Sequence, residues 1–240
     1  MEVTAKGQPR RALPCDLPAH DPARDAREMV RGSKDSAVTP RSIRARLLDG
    51  EDHYDELVQK AIGSATVSLW IASANVKEMR VQAPLGTTAR AKGRFVSILD
   101  TLGSLRARGV EIRFLHGGVP SRPFREELAR QPRLRDGGLP MRMCPRVHLK
   151  LVAIDGRLLY LGSANFTGAG LGAKQEGRRN FELGMLTDDD VWLDAAQERF
   201  DRIWSGRECA GCKVRKLCPM PIDQLLTKTS KRSTPARKKP

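Results

Sequence analysis

The sequence predicts an α/β fold, a mixed β-sheet flanked by helices, with a cysteine-rich metal-binding segment near its C-terminus. Three observations predict it. Apolar runs of strand length interleave with stretches of helical spacing through the middle of the chain, as when helices cover the faces of a sheet. The run Ala65 to Ala74 is continuously apolar rather than alternating, which suits a strand buried on both faces. Cys209, Cys212 and Cys218 follow a C-x2-C-x5-C spacing that suits metal ligation.

In chain order, residues 1 to 40 are rich in Pro, Arg, Asp and Ala and read as an extended arm, with one short helix over Pro22 to Arg31. Ile43 to Ile62 reads as a helix, with Leu47, Leu48, Leu57, Val58 and Ile62 as its apolar positions. The Ala65 to Ala74 strand follows, then a loop with Pro84 and Gly86. Phe95 to Arg108 has helical spacing and ends at Gly109, a helix-terminating glycine. Val110 to Leu115 reads as a strand and Pro123 to Arg130 as a short helix. Arg146 to Ile154 and Leu158 to Leu161 read as strands joined by an Asp155-Gly156 turn. Phe181 to Leu186 is a further strand, and Val191 to Trp204 is an amphipathic helix. No internal repeat is present. After Asp223 the chain is a basic tail expected to be disordered.

Lys and Arg total 43 against 28 Asp and Glu, giving a net charge of +15. Such an excess attracts polyanions, either nucleic acid or an anionic membrane surface. Part of it lies in the tail, but many Arg residues are spread through the centre of the chain. No apolar run is long enough to span a bilayer, and Met1 to Arg11 lacks the apolar stretch of a signal peptide. The expectation is a cytoplasmic protein with no stable membrane association. In that compartment its five cysteines suit metal ligation better than disulfides.

The chemistry concentrates in one stretch. His148-x-Lys150-x4-Asp155 is followed six residues later by Gly162-Ser163-x-Asn165. Strand alternation would place His148 and Lys150 on one face, one pleat apart. An imidazole can attack phosphorus while an ammonium neutralises the oxygens as charge develops. Ser163 and Asn165 can donate further hydrogen bonds to those oxygens. Gly162 would let the backbone approach the phosphate closely. Lower-ranked substrate contacts are Asn75, which ends the first apolar strand, His116, and the loop residues Arg178 and Arg179.

With every position of H-x-K-x4-D-x6-G-S-x-N present, the chain resembles the phospholipase D superfamily, in particular its single-motif nucleases, over about Ile43 to Gly206. The resemblance implies a catalytic domain over 41–206. His148 would be the nucleophile that forms a phosphohistidine, and Lys150 and Asn165 would be phosphate ligands supported by Ser163. Glu182 would be a carboxylate bonded to a histidine ring nitrogen, although its spacing from Ser163 is longer than expected. Asp155 would be mainly a turn residue and is the least favoured of the catalytic candidates. This chemistry needs two histidines, one to attack and one to protonate the leaving oxygen. His20, His53 and His116 have no lysine two residues on, so one chain carries half a site. The family solution is a homodimer with two His148 residues on its two-fold axis. No metal is expected in the hydrolysis, because Lys150 and the amide donors supply that charge.

The segment 207–222 resembles the C-terminal cysteine triplet of Cas4 and AddB nucleases. That implies a structural [4Fe-4S] cluster on Cys209, Cys212 and Cys218, with Cys15 in the arm as fourth ligand. Structural zinc and free thiols are the alternatives. Cys144 is the other candidate fourth ligand, although it reads better as a packed residue.

The leading functional expectation is a metal-independent endonuclease acting on nucleic acid, with DNA favoured. A narrower resemblance is to the phospholipase-D-like component of a bacterial deazapurine DNA-modification and restriction cluster. The rivals are a phospholipid phosphodiesterase or phosphatidyltransferase, and a catalytically silent nucleic-acid-binding subunit.

Overall fold

A computed structural model describes residues 40–84 and 86–225. The N-terminal arm with Cys15 and His20, the helix expected over Pro22 to Arg31, and the basic tail lie outside the described residues.

Seven strands form one sheet in the order β1-β9-β8-β7-β2-β5-β6. They are β1 (Ala45–Asp49), β2 (Ser68–Ser73), β5 (Glu111–His116), β6 (Met141–Met143), β7 (Lys150–Ile154), β8 (Leu158–Gly162) and β9 (Leu183–Thr187). β2, β5 and β6 run parallel, and the neighbours from β2 through β7, β8 and β9 to β1 are antiparallel. A separate hairpin pairs β3 (Arg80–Gln82) with β4 (Phe95–Ser97). The helices are α1 (His53–Ile62, wound with π-type hydrogen bonds), α2 (Thr88–Ala91), α3 (Ile98–Ala107), α4 (Arg122–Arg130) and α5 (Asp190–Trp204).

Two apolar layers sandwich the sheet. On one face Leu57, Val58 and Ile62 of α1, Leu99 and Leu102 of α3 and Phe124 of α4 pack with Leu69, Ile71, Ile112 and Phe114. On the other face Leu193, Phe200 and Trp204 of α5 pack with Leu115, Leu151, Ala153 and Leu159. There Trp70, Phe200 and Trp204 stack, with centroids 5.2 and 5.8 Å apart. Arg113 lies 4.5 Å over the Trp70 ring, and Arg142 lies 4.1 Å over Trp204. Burial on both faces of β2 matches the continuous apolar run.

The expected helix over Ile43 to Ile62 is two elements. Gly50, at φ 49°, turns the chain between edge strand β1 and helix α1. Leu48 is fully buried while Leu47 is 67% exposed, the alternation of a strand. The helix expected from Phe95 begins at Ile98. Ser97 accepts from the Leu99 amide, and Asp100 accepts from the Ser97 amide, a capping box that fixes the start. Phe95 to Ser97 instead pairs with Arg80 to Gln82. Strand β6 was not expected, and the strand expected from Phe181 starts at Leu183. The segment after α5 is not separate from this core: Ile222 is buried in the α5 layer and Cys209 packs against it.

Candidate active site

The site collects at one end of the sheet. Ser73 ends β2 and lies opposite both Lys150, the first residue of β7, and His116, the last of β5. Gly162 ends β8 and pairs with Gly184 of β9. Loops leaving these ends carry the remaining groups.

His148 is not on the strand. Pro145 has no amide hydrogen for a ladder, and the Val147 amide donates back to the Cys144 carbonyl at 2.8 Å. This turn delivers His148 to the surface just before β7 begins. The two side chains meet all the same. Lys150 Nζ donates to the His148 carbonyl oxygen at 2.9 Å and stands 3.0 Å and 3.2 Å from the ring nitrogens Nδ1 and Nε2. Burial lowers the Lys150 pKa, and the Glu182 carboxylate partly offsets this.

Asn165 follows β8, and its Oδ1 accepts from the Asn75 backbone amide at 3.1 Å and from Ser73 Oγ at 3.4 Å. Ser73 Oγ in turn accepts from the Phe166 amide at 2.9 Å. The amide nitrogen of Asn165 is thereby turned away from these donors; the Asn75 amide is the shorter contact, and buried Ser73 braces the same turn by donating to the Asn75 carbonyl at 2.7 Å. Sequence reasoning missed Ser73. Its signal is a hydroxyl inside an apolar strand, which needs a partner when buried.

Glu182 engages Ser163 within the chain, not His148. Its Oε2 accepts from Ser163 Oγ, and its Oε1 accepts from Asn180 Nδ2 at 3.0 Å. The long spacing between the two is folded back: the Asn180 amide donates to the Ala169 carbonyl at 3.0 Å, and Gly172, at φ 69°, packs against Gly50 and Tyr54. Arg179 anchors the same loop through the Lys174 carbonyl at 2.6 Å and Glu51 at 3.0 Å. Arg178 is exposed at the end of the turn Glu176–Arg178.

Gly162 serves packing between strands. A side chain there would strike the Tyr160 hydroxyl, Gly184 and Leu183, so the glycine lets β8 and β9 close over Tyr160. Gly117 does the same between the loops, where a Cβ would collide with the Val147 and Ala74 carbonyls. The His148 turn can approach β2 only because Gly117 is bare.

Asp155 lies at the opposite end of β7 from Lys150, roughly 16 Å away at about 3.3 Å per residue. It adopts φ 54°. Its carboxylate accepts from the Thr66, Val67 and Ser68 amides at 2.7 to 3.1 Å and from Thr66 Oγ1 at 2.8 Å. Its place is the turn, away from His148. His116 is 7% exposed, with Nδ1 2.8 Å from the Gly118 carbonyl oxygen. Burial lowers its pKa, and it lies beneath the site rather than on its surface. His53 is fully buried, edge-on to Tyr160 with centroids 5.7 Å apart, and burial lowers its pKa too. Asn75 is exposed beside Asn165.

The family model described as "Cardiolipin synthase, PLD-like domain" matches residues 58–204, more than half of the chain. The chain belongs to the phospholipase D superfamily. Among solved structures it is similar to NucT from Helicobacter pylori, at 17% identity and a TM-score of 0.48, over 67% of this chain and 95% of that one. It is also similar to Nuc from Salmonella typhimurium, a phospholipase D family member, at 17% identity and a TM-score of 0.49, over 68% and 95%. A third similar structure is the phosphatidylserine synthase of Haemophilus influenzae Rd KW20, at 15% identity and a TM-score of 0.45, over 90% and 55%. No curated protein sequence matches. Among the described residues, no helix is long and apolar enough to cross a membrane.

Proposed function

We propose that this phospholipase D superfamily member is a phosphodiesterase that hydrolyses nucleic acid, DNA in the first instance, through a phosphohistidine on His148. The observation that carries the reading is the contact of an exposed imidazole with the Lys150 ammonium, beside the Asn165 amide and the Ser163–Glu182 pair. A His148 nitrogen attacks phosphorus and expels the leaving oxygen. Lys150 and Asn165 stabilise the charge that develops on the non-bridging oxygens. Water then cleaves the phosphohistidine. Each step also needs an acid or base on the far side of the phosphorus.

His53 and His116, the other histidines among the described residues, are both buried. The reading therefore takes the second acid–base group from His148 of a second copy, in a symmetric homodimer. Hydrolysis on this reading requires no divalent ion, because Lys150 supplies the positive charge. The net charge of +15 suits a polyanionic partner, whether nucleic acid or an anionic membrane surface.

The family model's description names a cardiolipin synthase, so phospholipid is the rival substrate. The deciding experiment incubates pure protein in EDTA with labelled single-stranded DNA, duplex DNA, RNA and phosphatidylcholine vesicles. Cleavage of nucleic acid that is lost in His148→Ala supports the reading. Turnover of phospholipid alone replaces it with the lipid reading, and binding of DNA without turnover of any substrate replaces it with a silent binding subunit.

A further inference from the structure

On the α5 side of the sheet, Cys144 meets the C-terminal triplet. Cys144, Cys209, Cys212 and Cys218 all line one small cavity of about 30 Å3, together with Ile203 and Ile222. All four thiols are free and partly buried. Three come from the segment after α5, and the fourth comes from the turn that leads into His148. The resemblance to Cas4 and AddB nucleases pointed to Cys15, which lies outside the described residues; among the described residues the fold brings Cys144, the other candidate, to the triplet.

We propose that Cys144, Cys209, Cys212 and Cys218 hold one thiophilic metal centre through four thiolates, fastening the C-terminal segment to the turn that presents His148. The donor set decides the class. Glu208 also lines the cavity, but its carboxylate is taken by Arg202 at 2.8 Å, and the four sulfurs suit structural zinc or an iron–sulfur cluster, and not magnesium or calcium. The surroundings match the charge of such a centre. Thiols lose their protons as they bind metal, and a divalent ion with four thiolates keeps a net negative charge. Arg146 Nη1 reaches Cys212 Sγ at 3.7 Å, and Arg215 Nη1 donates to the Cys209 carbonyl at 3.3 Å. Arg146 thus supplies positive charge outside the ligand shell, while Arg215 is shared with Asp223 at 2.7 Å. Among the described residues, no three His, Cys, Asp or Glu side chains already stand in a metal-ligating arrangement, so binding draws the sulfurs inward over the cavity.

The placement gives the centre a positioning role. The Cys144 amide donates to the His116 carbonyl at 2.9 Å, and the Cys144 carbonyl accepts from Val147 at 2.8 Å. A ligand at Cys144 therefore fixes the first residue of the turn that ends at His148, on the outer side of the catalytic end of the sheet.

The test is metal and sulfide analysis of the full chain, purified anaerobically, and does not depend on knowing the substrate. The wild type is expected to hold zinc, or iron with acid-labile sulfide, at one centre per chain. X-ray absorption at that metal's edge should place sulfur ligands at about 2.3 Å. Cys144→Ser and Cys212→Ser should each lower occupancy by at least about tenfold, while Cys15→Ser keeps it. Zinc and iron–sulfur are the two forms of one site, and either result supports it. Wild-type protein that takes up neither zinc nor iron with sulfide overturns the proposal, as does nitrogen or oxygen ligation in the absorption spectrum. Metal lost in Cys15→Ser and kept in Cys144→Ser overturns the assignment of Cys144. The absorption measurement needs no variant, so misfolding of a serine variant leaves the proposal open to refutation.

Discussion

Lys150 sits between two opposing influences, and on the proposed mechanism they should set an alkaline limit on activity. Burial disfavours its charged form, while the Glu182 carboxylate favours it. The ammonium should therefore lose its proton below the usual lysine value of about 10.4, and the rate should fall as pH rises through that lowered pKa. Glu182→Gln removes the influence that raises the pKa, so the alkaline limb should move to still lower pH, measured in pH–rate profiles of both proteins. A limb that moves upward would contradict the electrostatic role of Glu182. His148→Ala should cost at least about 1000-fold in turnover with little change in melting temperature, since the ring is exposed.

Asp155 belongs to stability instead. Burial alone would raise its carboxyl pKa, but hydrogen bonds from Ser68, Val67 and Thr66 hold it below the usual range. A depressed carboxylate stabilises the fold above its unfolded pKa, and that stability is lost as pH falls through the folded value. Asp155→Ala should cost roughly 2 kcal/mol in denaturant unfolding at neutral pH, with a smaller difference in strong acid, and should spare catalysis in the folded fraction. At this scale the motif spacing marked His148, Lys150 and Asn165. It could not mark Ser73, which comes from a strand 92 positions away from Asn165, because that partnership exists only through sheet pairing.

Element boundaries explain most differences between the expected and observed architecture. Where apolar periodicity ran unbroken, as in β2, β5 and α5, the elements stand close to where the pattern placed them. β4 and α3 adjoin without a strong breaker, so periodicity merges them into one helix; β1 and α1 were merged across Asp49-Gly50, a turn signal that the apolar spacing overrode. The start of β7 was misplaced because the Cys144–Val147 turn carries apolar residues that resemble strand. The pairing of β8 with β9 makes a separate prediction. Gly184 lies against the Tyr160 ring, and a Cβ there would come within 2.9 Å of ring carbons. Gly184→Ala should therefore destabilise by about 1–3 kcal/mol through overpacking, measured by thermal or denaturant unfolding. An unchanged midpoint would mean that β9 moves freely over Tyr160, and the Ser163–Glu182 contact would then not be held by the sheet.

At the level of the whole molecule, the account turns on one His148–Lys150 pair per chain. The other histidines among the described residues are buried at His53 and His116, and attack and protonation need two groups on opposite sides of phosphorus. Family and charge were legible in the sequence. How two copies would meet in the proposed dimer was not, because an isologous surface leaves no periodic trace. Two chains sharing one composite site should fail together when either His148 is lost. Mixing wild-type with His148→Ala chains, allowing subunit exchange and assaying nuclease activity measures this directly. The account predicts that activity falls as the square of the wild-type fraction, to about one quarter in an equal mixture. A linear fall to about one half, or full activity in a species that sediments as a monomer, would contradict it.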